Sequence, residues 1–360
     1  MPSVYGQKLK LSVFGESHGE AIGVVIDGFP AGMKLDYDFI SSHMKRRAPG
    51  GDLSTPRKEA DIPRIVSGVS DGFTNGFPIC AVIENTNQHS SDYSKMLPRP
   101  NHADYPATLR YGEHCELRGG GHFSGRLTAP LTFAGALCLQ YLSLKGVTVG
   151  AHIKQILNVA DSSFDTSVRA SDLKALAKKE IPTLDPMAAE AYTTIIGSAK
   201  MRGDSVGALI ECAAIGLPAA LGEHMFGSVE SEISQLCFAV PGVKSIGFGA
   251  GFDFCRMYGS QANDAYEYKG GKVVTKTNNC GGIVGGMTTG MPVVFTVAMK
   301  PTPSIFVEQD TVDLEKGENA KLNIKGRHDP CIALRAVPVI ESVAAVALTG
   351  LMLDSEGRKL

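Results

Sequence analysis

Residues 127–144, LTAPLTFAGALCLQYLSL, form the longest uncharged stretch of the chain. Its 18 residues reach the length at which an apolar segment can span a membrane. Thr128, Pro130, Thr132, Gln140 and Ser143 interrupt the stretch, so we interpret it as a buried helix of a water-soluble protein. A second stretch, residues 337–353, is apolar on nearly every side, which also predicts a helix inside a core.

The composition around these stretches is that of a globular protein. Of 360 residues, 43% are hydrophobic and 20% are charged, and 35 Lys and Arg face 37 Asp and Glu, for a net charge of −2. This balance argues against broad nucleic-acid binding but allows a local basic pocket. The N-terminal residues lack the apolar region of a signal peptide, and none of the eight cysteines forms a CxxC pair. We therefore expect a cytoplasmic protein with reduced thiols, no membrane span and no metal site.

Strand-like and helix-like segments are mixed along the chain. Strands are predicted at residues 8–14, 21–27, 77–83, 147–156, 205–215 and 292–299, and helices at residues 36–47, 128–145, 170–179, 186–200, 229–240 and 337–353. The mixed order predicts one α/β or α+β domain over residues 1–360 with a largely antiparallel sheet. Three stretches, 46–64, 85–126 and 242–290, resist assignment, and long irregular segments in a compact domain are usually functional.

The standard nucleotide-binding motifs are absent. No GxxxxGK[ST] occurs, and in residues 247–252 Phe252 stands where the last glycine of GxGxxG would fall. The following acid, Asp253, is too close to be the ribose-binding residue of a dinucleotide fold. A Rossmann domain is therefore not expected.

Polar segments embedded in glycine replace those motifs. GESHG (15–19) places His18 in a turn, and RPNHADY (99–105) places Asp104 two residues after His102, as an oriented acid–base pair would require. RGGGHFSGR (118–126) precedes the apolar helix and predicts an anion nest. The remaining segments are NCGGIVGGM (279–287), KPTPS (300–304), GRHDPC (326–331) and the cationic pairs 46–47 and 57–58. A surface turn or a solvated loop would explain any one of them taken alone.

Taken together, and in this order, these segments resemble the chorismate synthase family. The similarity also includes RAPG (47–50), ENT (84–86), DYS (92–94) and the stretch 335–338, and it extends from residue 15 to residue 338. The resemblance implies conversion of 5-enolpyruvylshikimate 3-phosphate to chorismate and phosphate by anti-1,4-elimination. This is the last step of the shikimate pathway to the aromatic amino acids. Members of the family need reduced FMN without net redox change, and they are homotetramers with a β-α-β sandwich fold.

The resemblance also assigns site residues. The catalytic residues fall on His18, His102 and Asp329, and the substrate-binding arginines on Arg47, Arg99, Arg126 and Arg335. The flavin contacts fall on His122, Phe123, Ser124, Pro241, Gly242, Gly285, Lys300, Pro301, Thr302, Pro303, Ser304 and Arg327. One histidine is expected to protonate the leaving phosphate and the other to keep the flavin reduced and protonated, while Asp329 lies near flavin N5.

Four positions depart from the family pattern. Asn101 stands where a glycine is usual, which would alter the turn before His102. Ala48 replaces an arginine, Leu53 stands near the place of another, and His122 replaces a residue that is often arginine. One cation for the substrate or the nucleotide is therefore missing or is supplied by Arg57.

The charges agree with this assignment. Two carboxylates and a phosphate give the substrate a charge of about −4, and the FMN phosphate adds about −2, so the arginines must be concentrated in the site. Two other functions stay open: a flavin oxidoreductase acting on a small anion, and a non-catalytic flavin- or phosphate-binding protein. Some members reduce their own flavin with NAD(P)H, but the missing dinucleotide motif favours an external flavin reductase.

Overall fold

The computed structural model describes residues 3–51, 53–54, 61–86, 96–324 and 328–356. The strands are β1 (Val4–Tyr5), β2 (Lys10–Gly15), β3 (Ala21–Asp27), β4 (Arg64–Ser67), β5 (Val69–Ser70), β6 (Phe73–Thr74), β7 (Ile79–Glu84), β8 (Thr148–Ile156), β9 (Val159–Ala160), β10 (Ala208–Ile215), β11 (Val243–Phe248), β12 (Tyr266–Lys269), β13 (Lys272–Thr275), β14 (Ile283–Val284), β15 (Met287–Thr288), β16 (Val293–Met299), β17 (Gln309–Asp313) and β18 (Glu318–Leu322). The helices are α1 (Tyr37–Arg47), α2 (Asp104–Tyr111), α3 (Thr128–Leu144), α4 (Ala170–Leu176), α5 (Pro186–Met201), α6 (Val229–Ala239), α7 (Gly259–Ala262) and α8 (Ala333–Glu356).

Two five-stranded sheets carry the fold. The first sheet has the order β1-β2-β3-β7-β4 and the second the order β11-β16-β10-β8-β9. Every pair of neighbours in both sheets is antiparallel. Four separate two-stranded hairpins, β5-β6, β12-β13, β14-β15 and β17-β18, also occur among the described residues. The prediction of a largely antiparallel α+β architecture is therefore confirmed.

The two long apolar helices lie between the sheets. Helix α3 packs against β3 and β7 of the first sheet, α8 packs against β8 and β10 of the second, and the two helices pack against each other. Buried side chains of both sheets and both helices form one continuous hydrophobic core. The resulting layers are sheet, helices, sheet, which is the β-α-β sandwich that was expected.

The contact between α3 and α8 depends on a glycine. A Cβ atom on Gly135 would lie 2.1 Å from the Cβ atom of Ser342, so only glycine fits at this crossing. The apolar segments Gly125–Leu144 and Ala333–Glu356 are long and apolar enough to span a membrane, yet 72% and 89% of their most apolar windows are buried inside the protein. Both are core helices, as the sequence predicts.

Local signals explain where several helices begin. The Asp36 carboxylate accepts the N–H of Phe39 at 2.9 Å at the start of α1, and Ser228 caps α6 in the same way. Helix α5 begins with Pro186, a favoured first residue. The six predicted strands and six predicted helices are all present, with bounds that differ by a few residues. The unassigned stretches contain α2, β11, α7 and the hairpins at β12-β13 and β14-β15, which are short elements.

Candidate active site

Three consecutive glycines bring two histidines together. Gly119, Gly120 and Gly121 have φ angles of 61°, 91° and 54°, in the left-handed region that favours glycine. A Cβ atom on Gly119 would lie 2.5 Å from Nε2 of His18, and one on Gly120 would lie 3.2 Å from Cε1 of His102. A side chain at either position would displace a histidine. The glycine run therefore packs two of the predicted catalytic residues against adjacent peptide units.

Hydrogen bonds within the protein occupy part of the predicted anion nest. The Gly120 N–H donates to the carbonyl of Leu117 at 2.9 Å, so it is not available to an anion. The Gly121 carbonyl accepts the Ser17 N–H at 3.1 Å. The run thus braces the turn that carries His18, and the nest prediction is wrong for Gly120.

His122 braces the same turn. Its Nδ1 lies 2.8 Å from the carbonyl oxygen of Gly15, and its Nε2 lies 2.9 Å from Oγ of Ser3. Because a carbonyl only accepts, Nδ1 carries a proton, and a neutral ring then accepts the Ser3 hydroxyl at Nε2. Both ring nitrogens are therefore engaged by the protein itself at this position, where the family often has arginine.

His102 forms a partly buried pair with a carboxylate. Its Nδ1 lies 2.6 Å from Oδ1 of Asp104, the first residue of α2. The Arg99 guanidinium donates to both oxygens of Asp104, at 2.7 and 2.8 Å. Burial raises the pKa of Asp104, but the hydrogen bonds from Arg99 and His102 outweigh burial, and the net pKa lies well below the ordinary value. The acid–base pair predicted from the sequence is thus formed at a helix start.

The protons in this cluster can be assigned. Nη2 of Arg99 also approaches Nδ1 of His102, at 3.1 Å. A guanidinium only donates, so this contact competes with the bond from Nδ1 to Asp104. The carboxylate contact is shorter and charge-assisted, so Nδ1 carries the proton. Nε2 of His102, beside Gly120, is left to take up or release a proton.

Asn101 keeps the turn before His102. Its φ angle is 57°, in the left-handed region that asparagine tolerates better than most residues with a side chain. Lys300 donates from Nζ to the Asn101 carbonyl. Asparagine at this position therefore takes a backbone conformation that glycine also adopts readily.

The predicted substrate arginines are anchored by the protein. Arg47 donates from Nε to Oγ1 of Thr128 at 3.0 Å and from Nη2 to the carbonyl of Gly125 at 2.9 Å. Arg335 donates to the Arg47 carbonyl at 2.9 Å and to Oδ2 of Asp329 at 2.7 Å. These bonds hold Arg47, Arg335 and the predicted catalytic residue Asp329 on one side of the site.

One cavity of about 480 Å³ collects most of the predicted residues. Its volume is in the range of ligand pockets. The predicted site residues that line it are Arg47, Arg99, His102, His122, Phe123, Ser124, Arg126, Pro241, Gly242, Lys300, Pro301, Thr302, Pro303, Ser304, Asp329 and Arg335. Side chains from α1, α8 and both sides of the glycine run therefore meet there, although the chain separates them by up to 288 positions.

Three predicted residues are not on the wall of this cavity. His18 lies behind it, against the lining residue Gly119. Gly285 lies in the turn between β14 and β15, away from the cavity. Arg327 falls outside the described residues, as do Arg57 and the segment 92–94. The assignments of Gly285 and Arg327 to the flavin stay predictions.

The cavity is electropositive. In the described part of the chain, five lining side chains are arginine or lysine, and one, Asp329, is a carboxylate. Burial and then the charge of Arg335 lower the pKa of Arg47 to about 10, and burial and then Lys244 lower the pKa of Lys300. Burial and neighbouring cations therefore disfavour the charged form of both groups, and a bound anion would favour it.

The wall also fits a large planar ligand with a phosphate. Oγ1 of Thr302 is buried and has no hydrogen-bond partner among the described residues. Such an orphaned hydroxyl needs an explanation, and a polar ligand provides one. Phe123, Pro241 and Pro301 supply flat apolar surface near the cation of Lys300. The residues present therefore fit FMN. No group of three or more potential metal ligands occurs in the described ranges.

Two acidic residues and one amide that matter here were not among the predicted site residues. Asp104 could have been included, because it follows His102 in the RPNHADY segment. Asn85 lies in the ENT segment, and its amide holds the carbonyl of Gly19 at 2.8 Å while its Oδ1 accepts from Arg126 at 3.0 Å. Asp61 contacts two of the arginines, and no local pattern distinguishes it from other aspartates.

Comparisons with known proteins point to one family. The family model described as chorismate synthase matches residues 9–353. Curated chorismate synthases from Lancefieldella parvula and Thermococcus kodakarensis are 43% and 42% identical to this chain; each alignment covers 97% of it, and 95% and 97% of the respective relatives. A crystal structure of a chorismate synthase superimposes with a TM-score of 0.76 at 25% identity, over 98% of this chain and 94% of the other. The chain therefore belongs to the chorismate synthase family.

Proposed function

We propose that this chain converts 5-enolpyruvylshikimate 3-phosphate to chorismate and phosphate by anti-1,4-elimination, with reduced FMN as cofactor. The observation that carries the proposal is one cavity that joins His102, Asp329 and five cationic side chains. A substrate with a charge of about −4 is attracted to a wall on which cations outnumber carboxylates. Bidentate guanidinium groups suit both its carboxylates and its phosphate.

The histidines handle protons. Asp104 holds Nδ1 of His102 and leaves Nε2 facing the glycine run, so this nitrogen can deliver a proton to a departing phosphate or hold one beside the cofactor. His18 lies against the preceding glycine and takes the other of these two roles. Both side chains are largely buried, so water competes little for their protons.

Asp329 is held by Arg335. The 2.7 Å contact fixes the direction of the carboxylate on the cavity wall, as a proton relay requires. Residues 300–304 and Phe123 would hold FMN, with Lys300 near its phosphate and the unpaired Thr302 hydroxyl as a donor. When bound, reduced FMN supplies the electron and proton exchange that side chains do not provide.

The remaining parts of the proposal concern the surroundings of the enzyme. We propose a single domain that works as a homotetramer in the cytoplasm and receives reduced flavin from an external reductase, because the dinucleotide-binding motifs are absent from the sequence. Analytical ultracentrifugation at micromolar concentration checks the tetramer, and a monomer there would contradict it.

An anaerobic assay tests the activity itself. The purified chain is mixed with substrate and dithionite-reduced FMN, and phosphate and chorismate are measured. We expect equal amounts of both products, with no turnover when the FMN is oxidised. Product formation that does not need reduced flavin, or the absence of phosphate release, would refute the proposal. A protein that only binds flavin or phosphate would give the second result.

A further inference from the structure

One carboxylate lies between two of the cavity arginines. Nη1 of Arg47 is 2.6 Å from Oδ2 of Asp61, and Nη1 of Arg126 donates to Oδ1 of the same side chain. The Asp61 side chain is 0% exposed. Asp61 does not line the cavity, whereas both arginines do. Its carboxylate therefore stands behind the wall and touches the ligand space only through Arg47 and Arg126.

The rest of each guanidinium is also fixed. Arg47 uses one N–H on Thr128 and one on Gly125, and Arg126 uses one on the amide oxygen of Asn85. An arginine has five N–H groups. Three N–H groups of Arg47 donate to Asp61, Thr128 and Gly125. The remaining N–H groups can donate hydrogen bonds to an anion in the cavity. The direction of those donors is set by Thr128 and Gly125 on the wall and by Asp61 behind it.

Asp61 also balances charge. Burial raises its pKa, but the charges of Arg47 and Arg126 outweigh burial and hold the pKa below the ordinary value, so the carboxylate stays ionised. Arg335 contributes a third nearby cation. Without Asp61, Arg47 and Arg126 would be buried like charges with no anion between them, and each would turn away from the other.

We propose that Asp61 is a positioning residue, whose buried carboxylate holds Arg47 and Arg126 in the orientation that binds the anionic substrate. The inference rests on the proposed function, because that function makes the two arginines substrate ligands. A purely structural ion pair would link residues away from the cavity, whereas here both partners of the carboxylate line the cavity. The carboxylate of Asp61 takes no part in the reaction.

The backbone of Asp61 offers a clean variant. Its φ angle is 47°, a value that glycine adopts without strain, so Asp61→Gly removes the carboxylate and leaves the backbone favourable. Asp71 provides the matched control: it also has a positive φ, 51°, but it is exposed in the turn between β5 and β6. Asp71→Gly therefore makes the same chemical change away from any arginine of the site.

Formate can replace the missing group. We expect Asp61→Gly to lower kcat/KM by about 100-fold, the loss that a misplaced binding group causes. Sodium formate at about 100 mM should raise the kcat/KM of Asp61→Gly by at least about tenfold, because a free carboxylate can bind between two guanidinium groups. Sodium chloride at equal ionic strength should restore less. Asp71→Gly should stay within about twofold of the unchanged protein and should not respond to formate.

Thermal unfolding without substrate separates this inference from the proposed function. Formate should raise the unfolding temperature of Asp61→Gly by several degrees more than chloride does, and should do so neither for Asp71→Gly nor for the unchanged protein. This result would hold even if the assumed substrate were wrong. Kinetics of Asp61→Gly equal to those of the unchanged protein, or a loss that formate does not reverse, would overturn the positioning role.

A second variant tests the inference if Asp61→Gly does not fold. Asp61→Asn keeps the size of the side chain and one acceptor oxygen but removes the charge. We expect a folded protein whose kcat/KM is at least about tenfold lower, with the larger part of the change in KM, because the arginines are misdirected toward substrate rather than lost. A KM within twofold of that of the unchanged protein would overturn the inference.

Discussion

Two histidine–carboxylate clusters in this protein use the same groups differently. At the cavity, His102 bonds one carboxylate, Asp104, through Nδ1 at 2.6 Å. On the second sheet, His152 bonds two: Nδ1 lies 2.9 Å from Asp161 and Nε2 lies 3.0 Å from Glu211. His152 is 0% exposed, whereas the side chain of His102 keeps 16% of its surface accessible.

The carboxylates around His152 are also occupied. Asp161 accepts the N–H groups of Leu184 and Asp185 at 2.6 and 2.9 Å, and Glu211 accepts the Phe164 N–H at 2.7 Å. This cluster attaches the loops before and after α4 to the second sheet. A histidine with both nitrogens engaged serves structure, whereas a histidine with one nitrogen left at a cavity wall can move a proton.

The largest effect is expected from the cavity histidines. His102→Ala and His18→Ala should each lower turnover by about 10²–10⁴-fold, the usual scale of general acid–base catalysis. Circular dichroism should show a folded protein, since neither ring belongs to the hydrophobic core cluster. Anaerobic kinetics measure the effect. A variant with a rate within threefold of the unchanged protein would remove that histidine from the mechanism.

Asp329 extends the comparison to a carboxylate with an arginine partner. Asp329→Asn keeps the shape but removes the basicity, so turnover should fall by about 10²-fold or more. Substrate and FMN should still bind within about tenfold, because both are anions and the change removes a negative charge near them. Fluorescence titration with oxidised FMN measures flavin binding. Comparing the change in binding with the change in turnover distinguishes a proton-transfer role of Asp329 from a structural role. Parallel loss of flavin binding and turnover would mean that Asp329 is structural.

Asp104 and Asp161 form a matched pair of acids, each bonded to Nδ1 of a histidine. Asp104→Asn should lower kcat by about tenfold or more, since the amide no longer fixes the proton on Nδ1 of His102. Asp161→Asn should leave the kcat of the folded protein unchanged and lower its stability instead. If Asp104→Asn lost only stability, the proposed difference between the two clusters would be wrong.

The smallest effect on activity is expected at His152, where the effect is on stability. Burial lowers the pKa of His152, but Asp161 and Glu211 outweigh burial, and the net pKa is raised. The other groups around the cluster are Lys154, 3.8 Å from Glu211, the Phe164 ring, and Tyr192, whose pKa burial and then Asp161 raise to about 12.

The sign of the pH dependence follows from the raised pKa. Protonated His152 stabilises the fold fully below about pH 6.5, the ordinary value, and the contribution is lost as the pH rises through the folded pKa. His152→Gln should therefore lower the free energy of unfolding by about 3 kcal/mol near pH 6, and by less at pH 9. Urea unfolding across this range measures the difference. A constant difference from pH 6 to 9 would contradict the assignment, and turnover of the folded variant should change by less than threefold.

Much of the fold could be predicted from the sequence, because its strongest elements carry local signals. Helices α3 and α8 are apolar over many residues, and α1 has an aspartate cap. The short strands of the hairpins have mixed burial and offer no such pattern. The role of Gly119 and Gly120 could not be predicted either, because it depends on two histidines from other parts of the chain.

Most residues of the site could be predicted from the sequence, but the contacts that orient them could not. Motif similarity identified His102 and Arg126, while Asp61, which orders two arginines, carries no local signal. Its position depends on contacts with residues 14 and 65 positions away. Asn101, which was expected to alter the turn before His102, takes a positive φ that asparagine tolerates.

One measurement tests most directly the claim that this cavity carries out a redox-neutral elimination. Reduced FMN, the protein and limiting substrate are mixed in an anaerobic stopped-flow instrument, and flavin absorbance is followed while phosphate is measured. We predict one phosphate per substrate, with the flavin spectrum reduced again at the end of turnover. Oxidised flavin accumulating in proportion to the substrate consumed would show net hydride transfer, as in a flavin oxidoreductase, and would contradict the account.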